Sequence, residues 1–90
     1  MNNPISINNF SKDKYRVRVR HFRNKEQCEL AGFHGSKWAT IVAVYDSESP
    51  IILAEGVSRC RKNDTPDRRR GLNIALHRAA KKLIHAGFKL

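Results

Sequence analysis

Chemistry is concentrated in one stretch of this chain: Arg59-Cys60-Arg61-Lys62-Asn63-Asp64-Thr65-Pro66-Asp67-Arg68-Arg69-Arg70-Gly71, after which a long helical pattern begins. A helix N-terminus presents backbone N–H groups without intrahelical partners and the positive end of the macrodipole. Guanidinium groups placed there add bidentate donors, and the combination suits a phosphate or another oxyanion. Arg68, Arg69 and Arg70 are the primary candidates, with Arg59, Arg61 and Lys62 leading into them and Arg78 and Lys81 further along the helix. Asp64 and Asp67 lie within the cluster, where a carboxylate caps the helix or pairs with an arginine.

Other reactive residues are less organised. His21, His34, His77, His85, Cys28 and Cys60 do not form the short Cys-x2-Cys or His-x3-His spacings of a structural zinc site. With only 8 acidic residues in the chain, a converging carboxylate set for a metal-dependent nuclease is not expected. The expectation is therefore a non-enzymatic protein that needs no cofactor. Cys28 and Cys60, far apart in sequence, are expected to be free thiols.

These candidates must be positioned by a small framework. Ninety residues make one modest domain, and 40% hydrophobic content is ordinary for a globular chain. The net charge of +10, spread along the chain, favours a polyanionic partner. Nucleic acid comes first, an anionic membrane surface second and an acidic protein third. No run approaches the ~18 apolar residues of a membrane span, and no signal-peptide core is visible at the N-terminus, so a soluble, cytoplasmic protein is expected.

The clearest strand is Tyr15–Phe22, where Tyr15, Val17, Val19 and His21 alternate with Arg16, Arg18 and Arg20. The three arginines form either a solvated sheet face or a stripe that tracks phosphates. Residues 23–36 admit a short helix from Lys25 to Ala31 stopped by Gly32, a plain loop, or a strand near Leu30 to Phe33. Trp38–Tyr45, apolar on both faces, reads as a central strand. Asp46 to Pro50 supply a turn, and Ile51–Ser58 read as its hairpin partner, with Gly56 marking a bulge or a close helix approach.

Thr65 as N-cap, Pro66 at the first helical position and Gly87 as the stop define the long helix. Leu72, Ala75, Leu76, Ala79, Leu83 and Ala86 form its sheet-facing stripe. A second strip of Ile74, Ile84 and Phe88 suits either a covering N-terminal arm, residues 1–11, or a homo-oligomer contact. Trp38 and Tyr45 are expected in the core, and Phe33 is the better candidate for stacking on a base. The fold class is α+β: a three-stranded antiparallel sheet over residues 12–90 with the long C-terminal helix on one face.

Three antiparallel strands followed by a helix with a basic N-terminus resemble the double-stranded-RNA-binding domain. That resemblance implies phosphate contacts from Arg68, Arg69 and Arg70 and a packing stripe of Ala75, Ala79, Ala80 and Leu83. A more local pattern is Gly56-Val57-Ser58-Arg59-Cys60, Asp64, Arg68 to Gly71 and Ile74 to Ala79. It resembles small phage-encoded proteins, some of which block host defence by sequestering cyclic nucleotide signals. This second likeness implies that Arg59, Arg68, Arg70 and Arg78 hold phosphates, and that a nucleotide signal or a host defence protein is the partner in the host cytoplasm. The leading expectation is contact with the nucleic-acid backbone, duplex favoured, with Arg16, Arg18 and Arg20 or Arg78 and Lys81 extending the track.

Overall fold

A computed structural model describes residues 5–61 and 67–90. The elements are β1 (Tyr15–Phe22), α1 (Lys25–Leu30), β2 (Ser36–Asp46), β3 (Ile52–Arg61) and α2 (Arg68–His85). The strands form an antiparallel sheet in the order β1-β2-β3, with β2 central. This is the expected α+β architecture, and the short helix between the first two strands is realised. Asn24 caps α1 by accepting the Gln27 N–H at 2.8 Å, while the Gln27 side chain accepts the Arg23 N–H.

Alternation decides which face each side chain takes. Val17 lies opposite Val44, Val19 opposite Val42, and His21 opposite Thr40, while Thr40, Val42 and Val44 pair on the other side with Ser58, Gly56 and Ala54. This set faces α2, whose Ala75, Leu76, Ala79, Ala80 and Leu83 are buried against the sheet. Ala86, expected on that stripe, is instead the exposed C-cap residue of α2, because the helix ends before it can turn inward. Gly87 then takes φ 94°, and the Phe88 N–H reaches back to the Leu83 carbonyl in a Schellman closure.

Gly56 fixes how closely helix and sheet approach. A Cβ built there would overlap the Ala75 carbonyl oxygen and lie 2.5 Å from the Ala79 backbone nitrogen. The residue is therefore a contact point for the helix backbone, and the bulges in the ladder fall elsewhere, at Ser36/Trp38 and Val44/Tyr45.

The N-terminal segment docks at the edge of the core. Phe10 is buried and Ile5 packs against the core, whereas Ile7 is exposed. The Ile5 N–H donates to Asn73 Oδ1 at 3.1 Å, which lays the arm beside the first half of α2. It does not cover Ile84 and Phe88, which stay 53% and 40% exposed: Ile5 is anchored about three turns before Ile84, and Ser11 bonds the Leu90 carbonyl beyond the helix end. Tyr15 completes this edge by donating its hydroxyl to the Lys89 carbonyl at 2.5 Å.

Candidate phosphate-binding end of the sheet and helix

The arginine-rich sequence between β3 and α2 is divided by the sheet. β3 runs three residues beyond the expected Ser58, so Arg59, Cys60 and Arg61 belong to its ladder opposite Ala39, Trp38 and Ser36. Alternation then turns Arg59 to the face away from α2 and leaves Cys60 on the helix side. The Arg59 guanidinium donates to Ser36 Oγ at 2.8 Å and to the His34 carbonyl, and it lies over the Phe33 ring. It thus ties the loop before β2 to the sheet. Phe33, expected to be free for a base, is held between this guanidinium and Phe22, with ring centroids 5.6 Å apart.

Helix α2 begins with Arg68, Arg69 and Arg70 in its first turn, all exposed. Its N-cap is Asp67 in place of the expected Thr65: the Asp67 carboxylate accepts the Arg70 N–H at 3.2 Å. Its extended backbone, φ −131° and ψ 108°, is the geometry an N-cap requires. Lys62, Asp64, Thr65 and Pro66 lie outside the described residues. The carboxylate at the cap offsets part of the positive field there, beside three arginines of the first turn.

Under this helix start the interface with the sheet is polar. Thr40, fully buried, hydrogen-bonds His21 Nδ1 through Oγ1 at 2.9 Å. Trp38 stands beside His21, ring centroids 6.1 Å apart, with the Arg68 guanidinium over the indole at 5.4 Å from its centroid. Trp38 is therefore half-buried beneath an arginine, where the core had been expected. Its indole N–H is buried without an acceptor among the described residues. A cleft of about 500 Å³ opens here, lined by Trp38, Ser58, Cys60, Arg70, Gly71 and Ile74 among others.

Burial, reinforced by the positive charges of Arg23 and Arg68, holds the His21 pKa below its ordinary value. His21 is thus neutral at neutral pH and sits where an incoming anion would favour its protonation. Arg23 and Trp38 are the members of this end that the sequence alone did not single out. Arg23 follows β1 and shows no pattern, and Trp38 resembles an ordinary core aromatic.

The remaining candidates are more dispersed. Arg78 and Lys81 lie about 14 and 18 Å beyond Arg69 along the helix, at ~1.5 Å per residue. Arg78 donates to the Val57 carbonyl on the outer edge of β3, which blocks that position against strand addition. Arg16, Arg18 and Arg20 line the opposite face of a molecule only 19 Å across its thinnest Cα dimension. Arg16 donates to the Ser49 carbonyl at 2.7 Å and covers Tyr45, while Arg20 covers Phe22. The row is continuous, but the sheet separates it from the helix start.

Among the described residues the sole ion pair joins His34 to Glu29, and no lysine or arginine is paired with a carboxylate. Hydrogen bonds from His34 and the Gly35 N–H hold the Glu29 pKa below its ordinary range. Also among the described residues, no group of His, Cys, Asp and Glu is arranged to hold a metal ion, and no helix is long and apolar enough to cross a membrane. Comparison with protein-family models, with curated proteins and with solved structures returned no match to the chain.

Proposed function

We propose that this protein is a non-enzymatic nucleic-acid-binding protein that grips the phosphate backbone, duplex in preference, through the start of α2. The observation that carries this reading is the absence of internal neutralisation: among the described residues no lysine or arginine is paired with a carboxylate in a chain of net charge +10. A guanidinium without a carboxylate partner remains available to an external oxyanion. Arg68, Arg69 and Arg70 are the primary contacts, with Arg23 near them beside His21 and Arg78 and Lys81 along the helix. Phosphate contacts position a protein without reading bases, so weak sequence preference follows.

Fluorescence anisotropy with duplex RNA, duplex DNA and single strands tests the reading. Sub-micromolar duplex binding at moderate salt, lost in Arg68→Ala/Arg69→Ala/Arg70→Ala, is the expected result. Unchanged affinity in that variant removes the helix start from the site.

The cleft beside Trp38 favours a second reading. Its volume of about 500 Å³ lies within the range of small-molecule sites, roughly 300–1,000 Å³. A nucleotide seated there, its phosphate toward Arg70, would make the protein a scavenger of a nucleotide signal. Competition of duplex binding by micromolar free nucleotide supports this role, and indifference to millimolar nucleotide excludes it.

A further inference from the structure

The sheet face opposite α2 has a polarity of its own. β1 sets Arg16, Arg18 and Arg20 in a row at every second residue, a step of roughly 6.7 Å for antiparallel strands. That step is close to the phosphate repeat of an extended single strand. Beside the row, across the ladder, lie Tyr45 opposite Arg16, Ala43 opposite Arg18 and Ile41 opposite Arg20. Ala43 is small and buried, while Tyr45 and Ile41 flank it half-buried, so the middle of the face is a shallow apolar floor. On β3, exposed Glu55 lies opposite Ala43, and Arg59 further along the same face is taken up by Ser36 and the His34 carbonyl, so the free positive charge of this part lies on the β1 side. Helix α1 and Phe33 lie at the Phe22 end, where Gln27, Leu30 and Ala31 border a hollow with Arg20 and Ile41.

We infer that this open face binds a single strand of nucleic acid, with phosphates along Arg16, Arg18 and Arg20 and bases turned inward over Tyr45 and Ile41. Charge complementarity selects the occupant and its orientation. A polyanionic backbone is drawn to the β1 edge and repelled from Glu55. The unpaired bases, which carry no net charge, take the apolar floor, and the Glu55 carboxylate is placed to accept from their exocyclic amines. The Arg16 guanidinium lies over Tyr45, 5.5 Å from the ring centroid, and donates to the Ser49 carbonyl, so the first position of the row is already held beside the ring. The inference rests on the nucleic-acid reading but uses a surface that the sheet separates from the helix start.

The test uses the full chain, a fluorescein-labelled oligocytidylate and an RNA duplex of equal length, with Arg18→Glu/Arg20→Glu and Arg69→Ala/Arg70→Ala as the two variants. The sheet variant is expected to weaken single-strand binding more than tenfold and duplex binding less than threefold. The helix variant should do the reverse. Tyr45→Ala, which alters no charge, should weaken single-strand binding at least fivefold. Crosslinks from 4-thiouridine strands should map to β2 and β3 peptides. Equal weakening of both probes by the sheet variant overturns the inference, as do crosslinks confined to α2 or a dimer that the sheet variant dissociates. Loss of single-strand binding in the sheet variant, with duplex binding indifferent to the helix variant, would instead retain this face and discard the helix start.

Discussion

Helix α2 meets the sheet in two different ways along its length. Towards its C-terminus, Ala75, Ala79 and Leu83 lie over Gly56, Ala54, Val42 and Val44, and every polar side chain is excluded. Towards its N-terminus, Gly71 lies over Thr40 and Ser58, and His21, Trp38 and Cys60 complete the surroundings. The first half closes through apolar burial and backbone proximity. The second keeps a cleft, a neutral histidine and, among the described residues, an indole N–H without an acceptor, and an unsatisfied buried donor costs stability. A fold retains such features where something other than packing is selected, and its apolar half makes them tolerable. The contrast is a reason independent of charge for proposing the helix start as the site.

One chemical change separates the halves most sharply. Gly56→Ala places a methyl group into the Ala75 backbone and is expected to destabilise the protein by about 3 kcal/mol, read by urea denaturation. An unchanged midpoint would mean that helix and sheet are less closely packed than described. In the polar half, Thr40→Val removes the hydroxyl that pairs with His21 and is expected to cost about 1–2 kcal/mol, mostly by leaving a buried ring nitrogen unsatisfied. Gly71→Ala reverses the sign. Its Cβ would sit 3.5 Å from Ser58 Oγ and 3.7 Å from Thr40 Oγ1, in ordinary contact, so the gain in helix propensity should stabilise by about 0.5–1 kcal/mol. If Gly71→Ala destabilised as strongly as Gly56→Ala, the two halves would be equally tight and the comparison would fail.

The smallest effect is in pH dependence. Because the folded protein holds the His21 pKa below its ordinary value of 6.5, the unfolded chain binds the proton more readily. The contribution of this group is then full above about pH 6.5 and falls away as pH drops towards the lowered value. Thermal midpoints should decline over that window less steeply in His21→Gln than in the parent. Parallel declines would mean that His21 does not set the slope.

Much of the framework was legible because its signals are local. The β1 alternation and the Gly87 stop each follow from residue type and spacing, and each has the expected geometry, whereas α1 is one of three readings of residues 23–36 and the Asn24 cap decides for it. The alanine stripe also announced a helix close to the sheet, and Gly56 identified where. The site was legible as a charge cluster but not as an arrangement. A continuous run of basic residues conceals the alternation of β3, which sends Arg59 to the far face and Cys60 to the near one. Trp38 looked like core because an apolar strand neighbour predicts burial, whereas the helix begins only far enough along to bring Arg68 over it. Arg23 becomes part of this end through the length of β1, a property no motif encodes. Thr65 and Asp67 are both competent caps by type, and only the position of the first helical turn distinguishes them.

The most direct test of the central claim is the salt dependence of duplex binding in the parent and in Arg68→Ala/Arg69→Ala/Arg70→Ala. If all three guanidinium groups contact phosphates, the log–log slope should become shallower by roughly 2.7, at about 0.9 per contact, while the thermal midpoint stays within a few degrees. An unchanged slope, with the variant folded, would place the nucleic-acid contact elsewhere and contradict the account.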